Sequence, residues 1–483
     1  MEQTQNKTHM LARWPAYDGA SVEQMLQTEL RRLDRKIVVL DDDPTGVQTV
    51  HDVSVYTDWS PESIAAGFAE PGSMFFILTN SRGLTADQSA ALHRDIARRA
   101  AACAEACGKK FLLLSRGDST LRGHYPLETQ VLRDTLEACG QGPVDGEILM
   151  PFFPEGGRYT IGNIHYVAEG ETLVPAGQTE FARDKTFGYA SSDLNQWVEE
   201  KTRGQYPAGS VIDITLDELR ARDYAGIAEK LLCVKGFGKV AVNAIDYDDV
   251  KVFVTALARV LRAGKNFLFR TAAALPKVLG GVSDKPLLTQ EQLTRGQNRN
   301  GGVVIAGSHV HKTTRQLERL RQAKNVVLVE FDQHLALDDQ AFAEEQRRVL
   351  RLVEESIRAE LTVVVSTRRQ RFDLNTGNQE DELRLAAKIS NALTGIVSAL
   401  NVRPGFMIAK GGITSSDVGT KGLGVKRATV LGQILEGVPV WLTGPESKFP
   451  DMPFVIFPGN VGDDDALLQA VRRMRPEREG EKE

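Results

Sequence analysis

Short runs of apolar, largely β-branched or aromatic residues recur along this chain, and each is followed by a longer stretch in which apolar positions return every three or four residues. The short runs predict strands at 36–40, 74–79, 110–115, 147–150, 239–243 and 267–270. The amphipathic stretches between them predict helices at 22–33, 86–107, 127–139, 216–232 and 250–262. A second alternating set has strands at 303–306, 325–329, 361–365, 406–409, 438–442 and 454–457, and its longest helices at 338–359 and 380–400. Strand–helix alternation of this kind predicts an α/β protein of two domains, each a mainly parallel sheet flanked by helices. Two segments break the pattern. Residues 156–206 mix Gly, aromatic and charged residues without clean periodicity, and so long an irregular stretch in a compact domain points to function. Residues 293–302 turn polar and Gly/Asn-rich and read as a linker. The resulting division is an N-terminal extension at 1–35, a first domain at 36–292, the linker at 293–302, a second domain at 303–474 and a charged tail at 475–483.

Composition narrows the function classes. A chain of 483 residues exceeds one ordinary core, which supports the two-domain reading. Hydrophobic residues at 42%, charged residues at 25% and a net charge of −5 describe a soluble globular protein. No basic run is long enough to track a nucleic-acid backbone, and no apolar run reaches membrane-spanning length. Residues 1–20 lack the apolar centre of a signal peptide. The four cysteines, Cys103, Cys107, Cys139 and Cys233, form no CxxC pair and fit a reducing compartment, so a cytoplasmic location is expected. Oligomeric state is left open, with a homodimer allowed.

In open α/β sheets ligands bind beyond the carboxyl ends of the strands, so the loops that follow each strand carry the chemistry. The first strand runs into Asp41-Asp42-Asp43-Pro44-Thr45-Gly46. Three adjacent acids repel one another unless a cation or a proton is shared among them, and a phosphoryl-transfer site uses such a cluster to hold metal or to accept a hydroxyl proton. The plainer reading is an acidic turn with one helix-capping Asp. The third strand leads to Arg116-Gly117-Asp118-Ser119-Thr120-Leu121-Arg122-Gly123-His124, where guanidinium groups suit a carboxylate and Asp and hydroxyls suit sugar hydroxyls. After the 147–150 strand, Pro154-Glu155-Gly156-Gly157-Arg158 adds an arginine at the same sheet end. In the second half, Gly307-Ser308-His309 and Lys410-Gly411-Gly412-Ile413-Thr414 are small-residue turns opening helices, suited to an anion. The second of these is a candidate phosphate cradle, although the Walker A spacing is absent. His309 and His311 lack a third ligand and do not read as a metal site. Pro458-Gly459-Asn460 closes the last strand.

Taken in order, Asp42 to Gly46, Asp118 to Gly123, Gly411 to Ser415 and Gly459-Asn460 resemble the motifs of the four-carbon acid sugar kinases (DUF1537), over about 36–467. The resemblance implies a sugar-acid domain followed by an ATP domain, with catalysis in the cleft between them. It implies nucleotide contacts from Ser308, Gly411, Gly412, Ile413, Thr414 and Gly459, and a substrate side lined by Asp42, Asp43, Asp118, Arg122 and Arg158. Three features depart from the family pattern: Ile413 where Glu is usual, Pro44 and Val47 in the first motif, and a 181–192 segment without the proline-rich form of threonate-type members. The expected reaction is transfer of the γ-phosphate of ATP, with Mg²⁺, to a terminal hydroxyl of a threonate, erythronate or 3-oxo-tetronate type acid. Arg122 and Arg158 would hold the carboxylate and Asp43 or Asp42 would take the proton, the sequence leaving open which. The alternatives are a kinase for a branched or oxidised sugar acid and a non-catalytic sugar-acid binding protein. A dinucleotide oxidoreductase is disfavoured because no GxGxxG follows an early strand.

Overall fold

The computed structural model describes residues 4–14, 16–294, 299–307, 309–370, 372, 374, 379–459 and 461–475. Apolar runs such as Ile37-Val38-Val39-Leu40 are buried along their whole length, as strands must be when helices cover both faces of a parallel sheet. Helix starts are written locally: Thr85 and Gln88 form a reciprocal capping box at the head of Ala86–Cys107.

The chain forms two compact units, one comprising Met1–Val50 and Asp58–Asp284, the other His51–Thr57 and Lys285–Glu483. In the first, seven parallel strands lie in the order Ile212–Ile214, Gly238–Val242, Gly146–Met150, Phe267–Thr271, Phe111–Arg116, Lys36–Asp41, Met74–Leu78. The chain passes from Lys36–Asp41 to one neighbour and then to the other, so the loops after Lys36–Asp41 and Phe111–Arg116 flank a topological switch point, the usual ligand position in such sheets. The irregular 156–206 stretch contains an antiparallel sheet, with Arg158–Ile161, Ile164–Glu169 and Thr172–Pro175 in sequence and Gln5–Asn6 on the edge. Its short strands are only partly buried and interrupted by Gly162, Asn163 and Gly170, which hides their period.

In the second unit, Val326–Phe331, Thr362–Thr367, Val303–Ala306, Met407–Lys410 and Pro453–Phe457 are parallel neighbours. The sheet continues antiparallel through Val438–Thr443 and Arg427–Leu435 to Val53–Tyr56, a strand supplied from early in the chain. Residues 51–57 therefore leave the first domain that the sequence reading drew around them. The linker needs a second correction. Leu293 sits in the helix Gln290–Thr294 and is fully buried with Leu288 in the second unit's core, because these two apolar side chains have a hydrophobic face to join that the surrounding polar composition conceals. Residues 295–298 and the tail from 476 lie outside the described residues. No helix among the described residues is long and apolar enough to cross a membrane.

Candidate active site

Strand pairing in the first unit places Asp41 opposite both Arg116 and Leu78, so the three loops that follow these strands emerge side by side. The loop after Met74–Leu78 carries Arg82, which the sequence reading passed over although the same strand-end rule points to it. Arg82 is the hub of the acidic cluster. Its Nη2 donates to Asp43 Oδ2 at 2.5 Å, its Nη1 lies 3.1 Å from Asp118 Oδ1, and its Nε lies 3.9 Å from Asp42 Oδ2. Arg116 Nη1 adds contacts to Asp41 at 3.3 Å and Asp42 at 3.4 Å. Arg270, at the end of the last strand, donates from Nη2 to the Arg122 carbonyl at 2.6 Å and so holds the Asp118–Gly123 loop from below.

These partners make the neighbouring acids unequal. Asp43 is fully engaged: Oδ1 accepts from the Thr45 amide at 2.9 Å and the Thr45 hydroxyl at 2.6 Å, and Oδ2 accepts from Arg82. Burial pushes its pKa up, but Arg82 and Thr45 outweigh burial and hold it below the ordinary carboxylate range. Asp42 is buried more deeply, and there burial wins over Arg82, Arg116 and Arg270 and raises the pKa. Its Oδ2 accepts no hydrogen bond. Burial also carries Asp41 up to about 8 despite Arg116. Asp118 stays well below the usual range: burial is overcome by Arg82 and Arg122, and Thr120 donates to the same carboxylate.

The arginines differ in the same way. Arg122 donates from Nε to Asp118 at 2.8 Å and faces Asp184 at 3.7 Å, so protein carboxylates occupy much of its fork. Arg158 is half-buried, donates to the Gly156 carbonyl, forms no ion pair with any described carboxylate and has a buried Nε without a partner. Burial lowers its pKa. Both guanidinium groups lie over the Phe181 ring, whose centre is 5.0 Å from Arg122 and 5.6 Å from Arg158. The 181–189 segment thus packs on the arginine loop. The Tyr189 hydroxyl donates to the Thr120 carbonyl at 2.7 Å, and the Phe187 ring meets His124 edge-on at 4.9 Å.

The Asp118–Gly123 loop carries local strain. Leu121 has φ +68°, a left-handed conformation that costs a branched side chain about 1–3 kcal/mol. Its side chain offsets that cost by burial beside Tyr125, Leu149 and Trp197, since a fully buried side chain of this size stabilises by roughly 1.5–3 kcal/mol. Below the loop, Gly117 allows Arg270 to pass: a Cβ there would stand 1.4 Å from Arg270 Nη1.

In the second unit Ala306, Lys410 and Phe457 are in register, so the turns at 307, 411–414 and 458–459 share one sheet edge. Gly307 approaches Thr414 closely enough that an added Cβ would lie 3.2 Å from its Oγ1. Gly411 has φ +108°, which only glycine adopts without strain, and its amide already donates to the Phe457 carbonyl at 2.8 Å. The amides left without helical acceptors are those of Gly412, Ile413 and Thr414, opening the helix Gly412–Asp417. Ile413 is 76% exposed. Gly459 borders open space. Lys410, which opens the turn in sequence but was given no role of its own there, is buried and donates to the Pro458 and Gly459 carbonyls at 2.7 and 3.0 Å, tying the two turns together. Burial and then Lys312 push its pKa down to about 7. Ser308 lies outside the described residues.

Residues 37–279 match a family model described as a sugar-binding N-terminal domain, and residues 303–467 match one described as a nucleotide-binding C-terminal domain. No curated protein matches the chain. Among solved structures, the Haemophilus influenzae protein HI1011, of the DUF1537 family, is 16% identical with a TM-score of 0.58 over 90% of this chain and 100% of its own. A Salmonella typhimurium LT2 protein, provisionally described as a tRNA synthase, is 16% identical with a TM-score of 0.64 over 92% of this chain and 100% of its own. At these identities the likeness is one of fold.

Proposed function

The chain belongs to the four-carbon acid sugar kinase family, and on that premise we propose that it transfers the γ-phosphoryl group of ATP to the terminal hydroxyl of a four-carbon sugar acid of the threonate, erythronate or 3-oxo-tetronate type. One observation carries the reading for the acceptor. Arg158 is a half-buried guanidinium that feels the charges of Asp118 and Arg122 but has no carboxylate partner among the described residues and keeps a buried Nε without a hydrogen bond. A substrate carboxylate supplies the missing counter-charge to Arg158 in a two-pronged hydrogen bond. Arg122 and Asp118, already paired, orient the adjacent hydroxyls. Asp42 takes the proton from the attacking hydroxyl, since its raised pKa makes it the better base, while Asp43 holds Arg82 and the turn.

ATP is assigned to the second unit, over the Gly412–Thr414 amides, with Gly411 and Gly459 shaping the site. Mg²⁺, which the family implies, has no protein cage: among the described residues no three His, Cys, Asp or Glu side chains are placed to hold a metal ion together. The donor set suits an ion that arrives on the nucleotide with phosphate and water filling most of its shell, and no side chain is assigned to it. When bound, such an ion offsets phosphate charge. Transfer requires the acceptor hydroxyl to reach the γ-phosphorus in line, so the two bound substrates come into contact during turnover.

The test is ADP release by the full chain with MgATP and a panel of four-carbon aldonic and keto acids in each stereoisomer. The expected result is turnover of roughly 1–100 per second with at least one acid, the usual kinase range. The corresponding alditols, lacking the carboxylate, are expected to be poor substrates. Absence of ADP release with every acid would overturn the proposal.

A further inference from the structure

Arginines on the second unit are commonly matched with acids: Arg368 with Asp332 at 2.8 Å, Arg315 with Asp464 at 2.9 Å, Arg319 with Asp465 at 2.7 Å, Arg348 with Glu345 at 2.6 Å. Arg369 breaks the pattern. It is partly buried and forms no ion pair with any described carboxylate. Its Nε and Nη2 both donate to one neutral acceptor, the Thr314 hydroxyl, at 3.1 and 2.9 Å. Its Nη1 is buried without a hydrogen-bond partner. Burial alone, with no opposing acid, lowers its pKa.

The position of Arg369 gives this a meaning. It follows the Thr362–Thr367 strand, whose Ser366 is in register with Ala306, and Ala306 is in register with Lys410. Arg369 therefore emerges at the same carboxyl edge as the Gly307 and Gly411–Thr414 turns. Thr314, which fixes the plane of its fork, lies in the helix His311–Leu320 that follows the Gly307 turn. A guanidinium withdrawn from water and left short of acceptors is costly unless an anion completes it, and its planar fork fits phosphate oxygens.

We propose that Arg369, oriented by Thr314, forms a polyphosphate subsite that binds the β- and γ-phosphates of the nucleotide. The inference rests on the reading of this unit as the ATP-binding part, and adds a residue that neither the family motifs nor the turn geometry contains. A backbone cradle supplies partial charges only, and this side chain supplies a full one against an anion of several negative charges.

The test compares MgATP, MgADP and adenosine binding to the full chain by calorimetry, with adenosine measured by competition. Arg369→Ala is expected to weaken MgATP and MgADP by about 10–100-fold, the loss typical of charge-assisted hydrogen bonds, and to leave adenosine unchanged. Arg369→Lys, keeping charge without the fork, is expected to recover part of the loss. Thr314→Val, which leaves the arginine but not its anchor, is expected to weaken MgATP several-fold, again sparing adenosine. MgATP affinity in Arg369→Ala within about twofold of the parent would overturn the subsite and leave the kinase reading standing. An equal loss for adenosine and MgATP would overturn it too, because the residue would then be supporting the fold. No MgATP binding by the unaltered chain would instead remove the kinase reading beneath it.

Discussion

Asp42 and Asp43 are chemically identical and adjacent, yet their surroundings assign them different work. Asp43 receives three hydrogen bonds and is held ionised, while Asp42 keeps an oxygen unbonded and a raised pKa. Asp42→Asn is therefore expected to lower kcat by two or more orders of magnitude with substrate KM little changed, the scale of losing a general base. The pH profile carries the sign. The base must be unprotonated, so activity falls as pH drops through its pKa, and that acid limb should stand above the ordinary Asp value because burial raises it. A profile flat down to the ordinary Asp range would remove Asp42 from the role. Gly117 is a second residue whose identity matters for contact reasons. In Gly117→Ala the new methyl and Arg270 Nη1 cannot coexist at 1.4 Å, so Arg270 must leave the Arg122 carbonyl it supports. The expected result is a raised sugar-acid KM with MgATP binding intact, read by steady-state kinetics and calorimetry. An unchanged KM would show that the loop does not depend on Arg270.

Among the elements, the small antiparallel sheet formed around Arg158–Pro175 is the least conspicuous in sequence, and it braces the Asp118–Gly123 loop. His165, fully buried on the strand Ile164–Glu169, donates from Nε2 to the Ser119 carbonyl at 2.8 Å, and its Nδ1 lies 3.0 Å from the Thr160 hydroxyl. Burial is the main cause that pushes its pKa down to about 4. The unfolded chain binds a proton at this residue below about pH 6.5 and the folded one only below about pH 4. Its contribution to stability is thus present above pH 6.5 and is lost as pH falls toward 4, by on the order of 3 kcal/mol. Urea titrations of the parent and of His165→Gln across this range should converge as pH is lowered; a gap independent of pH would show that His165 does not titrate as described. The long helices and buried strands were legible from periodicity and composition, because each buries a whole face or both faces. The Arg158–Pro175 strands were not, since each is short and partly exposed, and the outermost, Thr172–Pro175, is completed by Gln5–Asn6 from far back in the chain.

At the scale of the whole molecule, the second unit is not continuous in sequence. Val53–Tyr56 pairs antiparallel with Arg427–Val430, and Asp52 donates its amide to the Val430 carbonyl at 2.7 Å. Leu288 and Leu293 are buried in the same unit's core. A fragment starting at residue 300, the natural cut suggested by composition, lacks all three features. It is expected to expose the edge of Arg427–Leu435 and to aggregate or unfold well below the full chain, whereas residues 285–483 carrying a fused 51–57 strand should fold. Soluble yield and the urea midpoint of both fragments are the measurements. A fragment from residue 300 as stable as the fused one would show that the borrowed strand is dispensable.

The linear sequence determined the strand–helix alternation, the two-unit α/β class and the position of reactive residues at strand ends, because these follow from local periodicity and from which residue types can stand in a turn. It also displayed Asp42, Asp43, Asp118, Arg122 and Arg158 as a candidate set. Only the tertiary structure decided which of them retain unsatisfied groups. Arg82 and Arg270 lie 39 and 148 residues from the partners they hold, Asp43 and the Arg122 carbonyl. Which carboxylate titrates, and which guanidinium awaits a counter-ion, depends on burial and on neighbours brought in from such distances, and neither is a property of a residue's place in the chain.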